Sequence, residues 1–380
     1  MRRSVWHSFV MALLLVGAPT AAQVPAADVV DAAARRVMAE TRANGLAVAV
    51  IDAGQVRHVA AFGVRNAQGD RLETDTVMYG ASLTKAVFAY VVMQLVDAGR
   101  LDLDRPLAAY LPRPLPDYAP YAALGDDPRW KAITARHALT HSTGFANFSF
   151  LEPDRRVHIH FDPGTRYAYS GEGLLLLQFV LENGLRVNVA DATAAAFATL
   201  GMTRTSFVWR SDFAGNLADG WNDKGEPQAH DERSSVRVAG SMDTSISDMA
   251  TFAAALVSGT GLSARARADI TRPQLAITTA HQFPTLGPEL PPGQRRKDLQ
   301  AGLGVVTFDG PQGRGFYKGG HDGQTANTMV CLEKGQRCIV LLANDVRAEA
   351  GFDGLVRQVL GETGVPYDWE YGDGAGKSEP

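Results

Sequence analysis

Strand patterns lie at both ends of this chain and helix patterns fill the middle. That distribution limits the available folds more than any other feature. Gly45 to Ile51 and Val56 to Val64 are apolar, β-branched runs joined by Asp52-Ala53-Gly54-Gln55, the pattern of a hairpin. Strand patterns return only at Leu303–Phe308, Gly315–Lys318, Thr328–Leu332 and Cys338–Asn344. Before the first hairpin, Asp28 to Arg42 carries Val30, Ala33, Ala34, Val37 and Met38 on one face, an amphipathic helix opened by an Asp cap. Helical patterns run from Ala86 to about Leu290, at Ala86–Asp97, Leu174–Glu182, Val189–Leu200 and Asp248–Val257, and a last one falls at Phe352–Leu360. Phe283–Lys297, with its four prolines, reads as a linker. The fold class expected is α/β of the α+β type. One antiparallel sheet is built from both chain ends (28–80 plus 298–362) and flanked by helices. A mostly helical part, 81–297, is inserted, and 366–380 is a flexible polar tail.

At the seam between these parts stands Ser82-Leu83-Thr84-Lys85, the only Ser-x-x-Lys in the sequence. The apolar run Ala86 to Val96, closed by Gly99, predicts a buried helix with Ser82 in its first turn and Lys85 one turn on along the same face. A serine hydroxyl becomes a nucleophile when a base takes its proton. A lysine whose pKa is lowered by desolvation is such a base. The helix N-terminus adds free backbone N–H groups where an oxyanion would form. With 7 lysines against 30 arginines, a lysine on an apolar helix face is not a casual choice. A cleft at the seam would hold Ser82 at its floor.

A 380-residue chain with 46% apolar residues and a net charge of −4 can bury a large core. Its charge gives no reason to expect a nucleic-acid partner. Arg2-Arg3, an apolar stretch from Phe9 to Ala18 and Thr20-Ala21-Ala22 make residues 1–22 a secretory signal peptide, too short for a membrane span. Twin-arginine export is a weaker reading than ordinary secretion. No cysteine follows the cleavage point, so a lipid anchor is not expected. A secreted or periplasmic protein follows. Cys331 and Cys338 flank a Lys334-Gly335 turn that places them opposite each other, either as a cross-strand disulfide or as two buried thiols.

Four segments together resemble the serine β-lactamase and penicillin-binding-protein superfamily, in the branch of class C β-lactamases, D-alanyl-D-alanine peptidases and related esterases. They are Ser82-Leu83-Thr84-Lys85, Ile133 to Gly144, Pro163 to Gly171 and Ala239 to Met249. The resemblance implies a β-lactamase/transpeptidase-like fold with Ser82, Lys85 and Tyr169 as catalytic residues. It also implies that Tyr169, near two lysines, readily becomes a phenolate. Gly171 departs from the pattern, since relatives carry there an asparagine whose amide binds the acylamido group of β-lactams and peptides. A third motif, found 26 residues before a strand-ending asparagine, falls on Lys318-Gly319-Gly320 when counted from Asn344. A rival alignment on His321-Asp322-Gly323 shortens the following hairpin by three residues. Lys318, Gly319 and Gly320 would then bind substrate, and the N–H of His321 would join that of Ser82 as the oxyanion hole. Gly319 lacks the hydroxyl that commonly holds a β-lactam carboxylate.

The reading is an exported serine hydrolase that forms an acyl-enzyme on a small-molecule or peptide substrate, with neither cofactor nor metal, as a monomer. Gly171 and Gly319 favour a D-amino-acid peptide or a simple ester over a β-lactam. A true class C-like β-lactamase is the alternative within the class, and an inactive envelope binding protein the alternative outside it. His158, His160 and Asp162 form an alternating surface set, His137 and His141 are structural, and Glu172 is an exposed first-turn carboxylate favoured by the helix dipole.

Overall fold

In the computed structural model, which describes residues 24–372, both chain ends enter one antiparallel sheet. Its strands are β1 (Gly45–Asp52), β2 (Gln55–Gly63), β3 (Leu275–Ala276), β4 (Leu299–Ala301), β5 (Val306–Gly310), β6 (Gly313–His321), β7 (Ala326–Leu332) and β8 (Arg337–Ala343). Their order across the sheet is β2-β1-β8-β7-β6-β5-β4-β3. The first strand therefore pairs with the last, with Ala49 opposite Val340. The β7–β8 hairpin puts Cys331 opposite Cys338, and a disulfide joins them.

The helices are α1 (Ala27–Thr41), α2 (Leu83–Asp97), α3 (Ala135–Leu139), α4 (Gly171–Asn183), α5 (Val189–Leu200), α6 (Ile246–Ser258), α7 (Ala264–Thr271), α8 (Phe352–Leu360) and α9 (Tyr367–Tyr371). Strand alternation divides the core in two. Ala47, Ala49, Phe316, Met329 and Val340 face α2, α6 and the helical part. Leu46, Val48, Val330, Ile339 and Leu341 face α1 and the C-terminal helices. The seven residues Ala86 to Val92 are all buried, because α2 lies between the sheet and the helical part.

Several expectations are corrected. Residue Ala26, not Asp28, precedes the first turn of α1 and makes no side-chain cap; Asp28 lies within that turn, where the helix dipole favours it. Both α6 and β3 fall inside 81–297 yet join the sheet layer, so the two parts are not separated at those residues. Strands β3 and β4 are too short to show an alternation. The segment expected as a flexible tail is ordered through residue 372, and Trp369 in α9 is buried. Residues 1–22, read as a signal peptide, and 373–380 lie outside the described residues.

Candidate active site

Ala81 adopts a left-handed backbone (φ 44°), which costs a non-glycine residue energy and turns the chain sharply into α2. Ser82 follows as the N-cap of α2, but its hydroxyl makes no capping bond. That leaves Oγ free to face the cleft. Lys85 Nζ lies 2.8 Å from Ser82 Oγ, and the Tyr169 hydroxyl lies 2.8 Å from it on another side. The position of Lys85 Nζ is fixed further by the Ala239 carbonyl.

Burial acts on these two groups in opposite senses. Lys85 is pushed well below the ordinary lysine range by desolvation, with Lys318 adding in the same direction. The Tyr169 phenol is pushed up by desolvation, and its hydrogen bond to Ser82 only partly offsets this. Burial thus opposes the phenolate that the two lysines were expected to favour. The resting site pairs a neutral phenol with a lysine prepared to be a neutral amine. Under Tyr169, the His141 ring packs tilted at 4.5 Å between ring centres and accepts the Ser170 N–H at Nδ1. Burial and the two lysines hold it neutral, so it adds no third cation.

On β6, Lys318 Nζ sits 3.4 Å from the Tyr169 hydroxyl and 5.1 Å from its ring centre. The His321 imidazole instead bonds Glu349 Oε1 at 2.8 Å. Of the two alignments, the structure brings Lys318 to the cluster. Gly320 has a steric reason. A β-carbon there would lie 2.7 Å from Leu83 N and 3.0 Å from Ser82 N, so glycine lets β6 pass the start of α2. A β-carbon on Gly319 would overlap the Glu370 carboxylate.

Gly171 opens α4 with its N–H donated to Asn147 Oδ1 at 3.0 Å. A β-carbon on it would overlap the Phe148 ring. Phe148 stacks on Phe150 at 5.1 Å. Glu172, expected to be exposed, is half-buried and accepts the Ser149 N–H at 2.8 Å, which fixes the turn between these rings. Phe283, from the expected linker, packs 5.6 Å from the Tyr169 ring. These rings wall a cleft of about 600 Å³ with Ser82 inside. The remaining candidates are held elsewhere. His158 pairs with Asp154, His160 with Glu152 and Asp162 with Arg129, while His137 and Thr134 cap α3 reciprocally.

The family model described as Beta-lactamase matches residues 30–361. The chain belongs to the Beta-lactamase family. Among curated proteins it is similar to "Esterase EstB" of Burkholderia gladioli, 29% identical over 50% of this chain and 54% of that protein. It is also similar to "D-alanyl-D-alanine-carboxypeptidase/endopeptidase AmpH" of Escherichia coli K12, 33% identical over 30% of each chain. The chain thus spans about half or less of these curated relatives. Among solved structures, a β-lactamase/D-alanine carboxypeptidase from Pseudomonas syringae superposes with a TM-score of 0.70 at 19% identity, over 88% of this chain and 98% of that one. An octameric penicillin-binding protein homologue from Pyrococcus abyssi gives 0.69 at 18% identity, over 88% and 77%. These likenesses show the β-lactamase/transpeptidase-like fold. The octamer means that the expected monomeric state does not follow from the fold.

Proposed function

We propose that this protein is an exported serine hydrolase that cleaves esters through an acyl-enzyme. The observation that carries the reading is Ser82 Oγ held at 2.8 Å by both Lys85 and Tyr169 at the floor of the cleft. Neutral Lys85 takes the Ser82 proton as Oγ attacks the carbonyl carbon. The N–H groups of Ser82 and His321 receive the oxyanion. Collapse expels the alcohol, which takes its proton from the Lys85 ammonium through the Tyr169 hydroxyl. Water then enters, gives a proton to the same pair and attacks the acyl carbon; the acyl–Ser82 bond breaks, Oγ takes that proton and the acid leaves, so that one ester and one water become one acid and one alcohol. No step needs a cofactor.

The aromatic wall favours a simple ester with an apolar acyl group. Phe148 fills the space that a side chain at position 171 would occupy, so no amide projects from that position toward an acylamido group. Export rests on residues 1–22. Reaction with a fluorophosphonate, followed by peptide mass spectrometry, should place the adduct on Ser82, and Ser82→Ala should abolish p-nitrophenyl butyrate hydrolysis. An adduct on another serine, or an active Ser82→Ala protein, overturns the reading.

A further inference from the structure

Glu370 is a buried carboxylate that the reaction above does not use. It reaches the cleft from α9, with its carboxylate in the space a side chain on Gly319 would take. The neighbouring Tyr371 hydroxyl is the polar side chain that favours its charged form by hydrogen bonding, and beyond that contact neither Oε2 nor the hydroxyl has a hydrogen-bond partner among the described residues. Burial pushes the carboxyl up to about 7, against Lys318 and His321, which favour its charged form; Glu349 adds to the rise and the Tyr371 hydroxyl opposes it. The Glu370 charge in turn is what opposes the desolvation of Lys318. At this point on β6 the site presents an acceptor in place of a hydroxyl donor, already facing the strand that carries Lys318.

We propose that Glu370 is a specificity-determining residue: it serves as the resident counter-ion of the Lys318 strand and excludes substrates with a carboxylate on the leaving group. This rests on the serine-hydrolase reading and narrows its substrates to esters with uncharged leaving groups. Two like charges in a poorly solvated cleft repel strongly, whereas a neutral leaving group escapes the repulsion. A D-amino-acid peptide ends in such a carboxylate, so the same contact disfavours peptides.

The test, run above pH 7 where Glu370 carries its charge, compares 3-(butanoyloxy)benzoate with its methyl ester, in wild type, Glu370→Gln and Glu370→Asp. The readout is the kcat/KM ratio of the anionic to the neutral ester, which cancels general damage to the site. Glu370→Gln should raise that ratio at least about tenfold, ~1.4 kcal/mol of removed repulsion, and Glu370→Asp should keep it near the wild-type value. An unchanged ratio in Glu370→Gln overturns the proposal while leaving a Ser82-dependent hydrolase intact. Hydrolysis that persists in Ser82→Ala overturns the hydrolase reading and this proposal with it. A second measurement needs neither turnover nor a variant. Phenylboronic acid should bind wild type at least about tenfold more tightly than 3-carboxyphenylboronic acid, by the same repulsion; equal or reversed affinities overturn the role of Glu370.

Discussion

Two side chains touch Ser82 Oγ, and the environment prepares them for different tasks: an amine to accept a proton and a phenol to pass one on. Lys85→Ala and Tyr169→Phe should each lower kcat by roughly 10²-fold or more, the scale of a lost acid–base group. The double variant should lose much less than the product of the two, because groups that relay one proton act as a unit. Multiplicative losses would assign them to separate steps. A pH profile follows from the same burial. The base must be neutral, so kcat/KM should fall as pH drops through the Lys85 pKa. That limb should lie well below the free-lysine value of 10.5; a profile still rising near pH 10 would show that Lys85 is not the desolvated base. Ser82, Lys85, Tyr169 and Lys318 were legible in the sequence because each falls in a motif of fixed spacing. Glu370 was not, because its tail reads as polar. The available signal was Tyr367, Trp369 and Tyr371 around it, three aromatic rings within five residues, which a solvated tail has little reason to carry.

At the scale of elements, the long strands and helices were legible to within a few residues, since their apolar periods run for two turns or more. Short elements such as α3, β3 and β4 were not, as a few residues hold no period. The same difficulty hid the aromatic wall, whose rings come from two irregular segments, at Phe148 and Phe150 and at Phe283, and which becomes visible only when Gly171 is seen facing Phe148. That contact changes what a substitution can do. Restoring an asparagine by Gly171→Asn alone forces its side chain into the Phe148 ring, and overpacking of this kind costs roughly 1–3 kcal/mol. The single variant should melt earlier and hydrolyse nitrocefin no faster than the wild type. Combined with Phe148→Ala, which vacates the space, it should acylate with β-lactams faster than either single variant. Nitrocefin turnover by wild type near the diffusion limit would show that neither Gly171 nor Phe148 restricts β-lactams. Gly320→Ala is the sharper probe of the β6–α2 contact. Its methyl would meet backbone nitrogen, which cannot swing away, so the Ser82 and His321 N–H groups proposed as the oxyanion hole should separate and kcat should fall about 10²-fold or more, the cost of a lost oxyanion donor.

The whole molecule is built around the pairing of its first strand with its last, and this decides how it unfolds. β1 and β8 lie side by side as the second and third strands from one edge of the sheet, so the β1–β2 hairpin cannot join the other strands until residues 337–343 are in place. Helix α2 is enclosed between that sheet and the helical part, and a continuous hydrophobic cluster runs from Ala47 and Val340 through Val87 and Phe88 to Leu174 and Leu177. Neither part can leave the other without exposing α2, and apolar area released at about 25 cal/mol per Å² makes such a partly opened state costly. Two lobes in sequence should therefore behave as one cooperative unit. Calorimetry should give one transition with a calorimetric to van't Hoff enthalpy ratio of about 1, and truncation before residue 337 should leave no protease-resistant helical fragment. Two resolved transitions, or a stable fragment within 81–297, would mean that the inserted part carries a core of its own and that the shared α2 contact does not couple the lobes.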